Sequence, residues 1–128
     1  MDALVVCANP TVRAYLEVAL EMEGYRTTSF SDTGEALQYL KEHTPDLIVL
    51  DEDARGELSA MDLAWRIKRV RRFKHVPVVV LTSTSDERTR IAARMAKVDK
   101  LIIKPLKGGE FRDFARHTRE IHSPPPEG

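Results

Sequence analysis

The chain has 128 residues, which is the size of a single domain with a substantial hydrophobic core. Its 20 lysines and arginines balance 20 aspartates and glutamates, so the net charge predicts no general attraction to nucleic acid or to an anionic membrane. The apolar runs are too short to span a membrane, no secretory signal pattern is present, and one cysteine excludes an internal disulfide, so we expect a cytoplasmic protein.

Five runs of strand length alternate with segments of helical period, which predicts a doubly wound α/β domain. The strands are expected near 3–7, 26–30, 46–51, 76–82 and 100–104. Four of the runs are apolar on both faces, as a sheet covered by helices on both sides requires. The second run, RTTSF, is polar and β-branched, which suits an edge strand.

The first two intervening segments carry helix start and stop signals. Asn9 is a candidate N-cap for the first helix, which Gly24 ends. Asp32 followed by Glu35 has the form of a capping box for a second helix, which ends before Pro45. The residues expected on the inner face of the first helix are Val12, Tyr15, Leu16, Ala19 and Leu20.

Three more helices are expected along the rest of the chain. Ser59 caps the third helix, either Ser85 or Asp86 caps the fourth, and the fifth covers 109–121. We expect a folded domain over 1–122, followed by a disordered proline-rich tail over 123–128. The residues expected to face the core are Leu63, Ala64, Ile67 and Val70 in the third helix, Ile91, Ala92 and Met95 in the fourth, and Phe111, Phe114, Ala115 and Thr118 in the fifth.

Reactive side chains follow three of the predicted strands at the point where each strand ends. Asp51 directly follows the run LIVL, Thr82 follows VVVL, and Lys104 follows LII. Because the carboxyl ends of parallel strands meet in one crevice, we expect a carboxylate, a hydroxyl and an ammonium group to lie together. The first strand ends differently, in Cys7-Ala8-Asn9.

Three motifs stand out by their content and by their spacing along the chain: PDLIVLD at 45–51, VPVVVLTS at 76–83 and KPL at 104–106. Together they resemble the receiver domain of bacterial two-component response regulators, including the single-domain chemotaxis type, over about 2–122. The resemblance implies a flavodoxin-like fold with a five-stranded parallel sheet of order 2-1-3-4-5 and five helices.

The resemblance also implies a chemistry. A receiver takes a phosphoryl group from the phosphohistidine of a histidine kinase, so Asp51 would be the nucleophile and acceptor. Lys104 would supply a positive charge and Thr82 a hydroxyl to the phosphoryl oxygens. Pro105 would follow a cis peptide, and backbone amides past Thr82, including that of Ser83, would complete the site. No enzymatic activity beyond this self-phosphorylation is expected.

The site departs from the family at the metal. Receivers hold Mg²⁺ with an acidic pair at the end of the first strand, and that pair falls here on Cys7 and Ala8, which supply no carboxylate. We therefore expect weak or absent Mg²⁺ binding, with Asp51 and Asp53 as the remaining candidate ligands. Asp53 either supplies a replacement carboxylate or, like Glu52, is a solvated loop residue.

Two further residues differ from the family pattern or allow alternatives. The residue three positions before the lysine is an aromatic switch in many receivers, and here it is Leu101. Cys7 is either a small buried hydrophobic residue or a thiolate near Lys104 that senses oxidants.

Two surfaces are candidates for partner contacts. Trp65 lies opposite the inner face of the third helix, with Arg69 and Arg72 near it, which is the composition of a docking site or of a solvated helix. The usual output face of receivers, formed by the fourth helix, fifth strand and fifth helix, would include Arg94, Lys97, Lys100 and Arg112.

The sequence thus predicts a stand-alone response regulator that accepts a phosphoryl group at Asp51 with impaired Mg²⁺ dependence. The alternative is a pseudo-receiver that contacts proteins without being phosphorylated. The expected partner is a histidine kinase or another signalling protein, with no small-molecule substrate, nucleic acid or membrane, and the protein is expected to be a monomer or weak dimer. A nucleotide- or flavin-binding enzyme is disfavoured because no glycine-rich loop follows a strand.

Overall fold

Five parallel strands form one sheet at the centre of the protein, with helices on both of its faces. The structure is a computed structural model that describes residues 1–106 and 109–122, so the predicted tail at 123–128 lies outside the described residues. The sheet order β2-β1-β3-β4-β5 confirms the predicted flavodoxin-like topology. The strands are β1 (Asp2–Val6), β2 (Arg26–Phe30), β3 (Leu47–Asp51), β4 (Val78–Thr82) and β5 (Lys100–Ile103). The α-helices are α1 (Pro10–Met22), α2 (Thr33–Leu40), α3 (Ala60–Arg69), α4 (Glu87–Ala96) and α5 (Glu110–His122), and a short 3₁₀ helix covers Arg71–Phe73.

The polar residues before four helices act as the predicted caps. The side chains of Asn9, Asp32 and Ser59 accept hydrogen bonds from the first backbone amides of α1, α2 and α3. Asp86, rather than Ser85, caps α4 by accepting from the Thr89 amide. Because each cap satisfies amides that have no partner inside the helix, these short sequence signals fix where each helix begins after its strand.

The sheet separates two apolar cores, since successive strand residues point to opposite faces. Both strand faces are buried in β1, β3 and β4, as the apolar runs predict. The same prediction is wrong for β5, an edge strand in which only Ile102 is fully buried and Ile103 is 37% exposed. The core on the α2 and α3 side contains Leu4, Val6, Ile48, Leu50, Val78 and Val80, and the core on the other side contains Val5, Val49, Leu81, Leu20, Phe111 and Ala115. None of the helices within the described part of the chain is both long enough and apolar enough to cross a membrane.

Four predictions of core-facing residues are wrong. Tyr15, Val70, Ile91 and Met95 are exposed, and Met95 is 66% exposed. In α4 the buried residues are Ala93 and Ala96 instead, so this helix contacts the core through small side chains and turns its larger apolar residues outward. The sequence could not show which face of α4 is buried, because Ile91 and Met95 also recur at helical spacing.

A buried carboxylate joins the end of α1 to α5. Arg116 donates to Glu23 through Nε at 2.9 Å and Nη2 at 3.3 Å, and this hydrogen-bonded ion pair lowers the pKa of Glu23 below its usual range. Arg112 also points to Glu23, at 3.9 Å, so its expected place on the face formed by α4, β5 and α5 is wrong. Lys100 does face α5, where it pairs with Glu110 at 3.2 Å.

The Tyr25 hydroxyl provides a test of this packing. It is buried and donates to the Ala115 carbonyl of α5 at 2.8 Å. Tyr25→Phe removes this buried hydrogen bond to α5 and should lower the free energy of unfolding by about 1 kcal/mol, measured by urea denaturation. Tyr15→Phe is the matched control, because Tyr15 is 43% exposed, and it should unfold like the wild type. Equal losses in both variants would contradict this account.

Candidate functional site

The carboxyl ends of β1, β3, β4 and β5 surround a buried ion pair. Asp51, the last residue of β3, is 0% exposed, and Lys104 Nζ donates to Asp51 Oδ1 at 2.8 Å. The Lys104 backbone amide also donates to the Thr82 carbonyl at 2.7 Å, which holds this lysine against β4. The peptide between Lys104 and Pro105 is cis, as the resemblance implies. The sheet therefore brings the three strand-end residues to one crevice.

The two oxygens of Asp51 have different surroundings. Oδ1 accepts from Lys104 and, at 3.1 Å, from the Asp53 backbone amide. Oδ2 lies 3.8 Å from Cys7 Sγ. Burial raises the pKa of the Asp51 carboxyl, and the Lys104 hydrogen bond opposes that shift only in part. Oδ2 is thus the oxygen with less hydrogen bonding, and a nucleophile would attack through it.

Thr82 is buried, and its hydroxyl bonds to residues outside the predicted site. The hydroxyl donates to the carboxylate of Glu52 and accepts from the Thr84 amide at 3.1 Å. The Thr84 hydroxyl lies 3.0 Å from the Thr82 hydroxyl and 3.3 Å from that of Thr89 in α4. Glu52 is exposed, as expected of a solvated loop residue, and it also contacts Thr82, a contact that the predicted site did not include. The available signal was its position directly after Asp51.

The side chain of Asp53 turns toward the end of β1. Its carboxylate accepts from the Ala8 amide at 3.2 Å and from the Asn9 amide at 3.0 Å. Asp53 is exposed, as the solvated-loop alternative expects, and its carboxylate also bonds to these two amides. Asp53 links the loop after β3 to the loop after β1, which is the junction where receivers bind their metal.

The side-chain donor set at this junction is two carboxylates and a thiol, which is poorer in oxygen than Mg²⁺ prefers. Atoms of Cys7, Asp51 and Asp53 lie within 4.8 Å of one another and are the candidate ligands. Mg²⁺ requires hard oxygen ligands in a near-octahedral arrangement. Here one oxygen of Asp51 is held by Lys104, both oxygens of Asp53 accept backbone amides, and Cys7 offers sulfur. Ala8 has no ligand atom in its side chain.

The thiol of Cys7 is buried and stays protonated at neutral pH. Burial, followed by the negative charges of Asp51 and Asp53, raises the pKa of Cys7 to about 12. The thiolate is the form that reacts with oxidants, so these surroundings favour the small hydrophobic role over the oxidant-sensing role.

The remaining candidate residues lie away from the ion pair. Leu101 is half-buried against the core on the α2 and α3 side. Trp65 is 48% exposed, and the Arg69 guanidinium lies 3.8 Å from its ring centroid and donates to the Met95 carbonyl at 3.2 Å. Arg72 instead bonds to the Leu40 carbonyl at the end of α2. Trp65 and Arg69 thus share a patch that does not include Arg72.

Comparison with known proteins agrees with this fold. Residues 3–116 match the family model of the response regulator receiver domain. The chain is 33% identical to the phosphate regulon transcriptional regulatory protein PhoB of Pseudomonas aeruginosa, over 84% of this chain and 47% of that protein. The chain spans about half the length of PhoB and of the next two curated relatives that it matches.

Solved structures show the same architecture. The signal receiver domain of a histidine kinase from Syntrophus aciditrophicus superposes with a TM-score of 0.80 at 29% identity, covering 94% of this chain and 88% of that chain. The chemotaxis response regulator CheY4 of Vibrio cholerae has a TM-score of 0.82 at 16% identity, covering 91% and 97%, and this likeness concerns the fold alone.

Removing Lys104 should expose the cost of burying Asp51. Lys104→Met leaves the carboxylate without its counter-charge and should lower the free energy of unfolding at pH 7 by about 2–4 kcal/mol. This loss is somewhat smaller than for a fully buried pair, because the Lys104 side chain is partly exposed. The loss of the counter-charge raises the pKa of Asp51 further above its unfolded value of about 4. The penalty exists only while Asp51 is ionised, so the loss should shrink as the pH falls through the folded pKa.

Urea denaturation at pH 7 and pH 5 measures this effect. The control is the double variant Asp51→Asn, Lys104→Met, which has no buried charge at the pair and should recover most of the stability at pH 7. Equal stability of the single and double variants at pH 7 would show that the ion pair is not the cause.

Cys7 should be nearly inert in the folded protein. At pH 8 native Cys7 should react with iodoacetamide more than about a hundredfold slower than in urea, because it is buried and its thiolate fraction is very small. Mass spectrometry over time gives both rates. Rates within a factor of about ten would restore the oxidant-sensing alternative.

Proposed function

Because the chain belongs to the response regulator receiver domain family of two-component signal transduction, we propose that Asp51 is its phosphoryl acceptor, with impaired dependence on Mg²⁺. Receiver domains are in general signalling modules rather than enzymes. The observation that carries the proposal is the 2.8 Å contact between Lys104 Nζ and a buried Asp51, with Thr82 on the neighbouring strand. We propose that the domain spans residues 1–122 and receives its signal from a histidine kinase or another signalling protein.

Each residue of the proposed site has a defined task in the transfer. Asp51 Oδ2 attacks the phosphorus atom, and the bond between phosphorus and the donor nitrogen breaks. Lys104 keeps its ammonium group beside the carboxylate and stabilises the negative charge on the phosphoryl oxygens. Thr82 donates a hydrogen bond to a phosphoryl oxygen once its hydroxyl no longer donates to Glu52. Phosphoryl transfer depends mainly on such positioning and charge stabilisation, so these groups support transfer from a reactive donor.

The end of β1 supports the proposed impairment. Cys7 and Ala8 contribute no carboxylate, and both oxygens of Asp53 are already bonded to the Ala8 and Asn9 amides. The repulsion between an incoming phosphoryl group and Asp51 is then offset by Lys104 alone. We therefore expect slow transfer and a short-lived or sparsely populated phosphorylated state.

A second candidate function is a pseudo-receiver that acts through protein contacts without phosphorylation. The observation that favours it is that the polar groups of the site are satisfied internally. Lys104 bonds to Asp51, Thr82 to Glu52, and Asp53 to backbone amides. A partner could then be recognised through an exposed surface such as the patch of Trp65 and Arg69.

Beryllofluoride, which mimics a phosphoryl group on aspartate, separates the two candidates. Titration with beryllofluoride and Mg²⁺ should give weak amide shifts in the wild type near Asp51 and Thr82. Ala8→Asp restores an oxygen ligand at the end of β1 and should raise the Mg²⁺-dependent affinity at least about tenfold. Adding Asp51→Asn to that variant is the control and should abolish the response.

Three outcomes would change the assignment. A wild-type affinity equal to that of Ala8→Asp would contradict the impaired metal dependence. A response that survives Asp51→Asn would contradict the role of Asp51. If Ala8→Asp gives no response at any Mg²⁺ concentration, the acceptor proposal fails and the pseudo-receiver is favoured.

A further inference from the structure

Glu52 lies between the acceptor site and α4. It directly follows Asp51, and adjacent residues at a strand end point to opposite sides, so Asp51 faces Lys104 while Glu52 turns toward β4. The Glu52 backbone amide donates to the Leu81 carbonyl at 2.9 Å, which fixes its main chain beside that strand. Its carboxylate then accepts the proton of the buried Thr82 hydroxyl.

This contact determines the direction of a short chain of hydroxyl groups. A hydroxyl has one hydrogen to donate, and Thr82 donates it to the Glu52 carboxylate. The Thr84 hydroxyl, 3.0 Å from that of Thr82, must therefore be the donor in that contact. Because the Thr84 hydroxyl already donates to Thr82, the Thr89 hydroxyl, 3.3 Å away, must be the donor to Thr84. The chain runs from Thr89 to Glu52, and each bond polarises the next.

The chain connects the acceptor site to the beginning of α4. Thr89 lies in the first turn of α4, and its backbone amide donates to the N-cap Asp86 at 2.9 Å. Glu52 is therefore the terminal acceptor of a hydrogen-bond chain that starts on a helix and passes through Thr82. Within residues 1–106 and 109–122, the hydrogen bonds of the Thr82 hydroxyl join it to Glu52 and Thr84 and not to Asp51.

We propose that Glu52 is a positioning residue that holds the Thr82 hydroxyl in this orientation. Its consequence for signalling rests on the proposed role of Asp51. A phosphoryl group on Asp51 would accept a hydrogen bond from the Thr82 hydroxyl. Because that hydroxyl can donate only one hydrogen bond, the phosphoryl group has to displace Glu52. The phosphoryl group and Glu52 also carry like charges, which adds to the competition. Displacement of Glu52 removes the acceptor that orders the chain of Thr84 and Thr89.

The surroundings of Glu52 argue against a purely structural role. Its side chain is exposed, and the ion pairs found among the described residues do not include it. Removal of such a carboxylate should leave the fold intact, so its effect on Thr82 can be measured in a folded protein.

The test measures the side-chain rotamer of Thr82 by NMR in Glu52→Ala, Glu52→Gln and a control. Three-bond couplings from the Thr82 methyl carbon to the backbone nitrogen and carbonyl carbon report its χ1 angle. They should indicate one rotamer in the wild type and averaged rotamers in Glu52→Ala. Glu52→Gln keeps an acceptor oxygen and should retain the wild-type couplings. Glu57→Ala removes an exposed glutamate of the same loop and should change nothing.

The second measurement is beryllofluoride affinity in the Ala8→Asp background. Adding Glu52→Ala should raise that affinity about threefold to tenfold, because the competing acceptor of the Thr82 proton is gone. Adding Glu57→Ala should leave the affinity unchanged.

The outcomes distinguish this proposal from the one on which it rests. Unchanged Thr82 couplings in Glu52→Ala would overturn the positioning role, whatever Asp51 does. Averaged couplings with an unchanged or lower beryllofluoride affinity would overturn the competition. If Ala8→Asp itself does not bind beryllofluoride, the acceptor function of Asp51 fails, and the couplings still decide whether Glu52 positions Thr82.

Discussion

The ion pair of Asp51 and Lys104 is the constraint around which the crevice is organised. A carboxylate that is 0% exposed requires a counter-charge, and Lys104 supplies it at 2.8 Å. The sheet order places β4 between β3, which ends in Asp51, and β5, which Lys104 follows, so Thr82 at the end of β4 lies beside the pair. The bond from the Lys104 amide to the Thr82 carbonyl, together with the ion pair, joins the ends of β3, β4 and β5.

The two acids that follow Asp51 bond to the neighbouring strand ends. Because successive residues diverge at a strand end, Glu52 reaches the hydroxyl of Thr82 while Asp53 reaches the amides of Ala8 and Asn9. Three consecutive acidic residues thus connect the ends of β1, β4 and β5 to β3. Hydrogen bonds between these carboxylates and backbone or hydroxyl groups hold the loops together.

Much of the fold was predictable because its signals are local. The caps Asn9, Asp32 and Ser59 each bond within three residues of themselves, and strand length and apolar content indicate the sheet. The inner face of α4 was not predictable, because Ile91 and Met95 satisfy the same periodicity as the alanines that are buried. Which side of an amphipathic helix is buried depends on how closely the helix approaches the sheet, and small residues permit a closer approach.

The sequence by itself determined the fold class, the strand ends and the set of Asp51, Thr82 and Lys104, since residues at the ends of parallel strands must meet. It also determined that the end of β1 lacks carboxylates. Only the tertiary structure decided where Glu52 and Asp53 point, and that Arg112 joins Glu23 rather than the face formed by α4, β5 and α5. The physical reason is distance along the chain. Asp53 and Ala8 are 45 residues apart, and no local pattern encodes a contact between groups that only the folded sheet brings together.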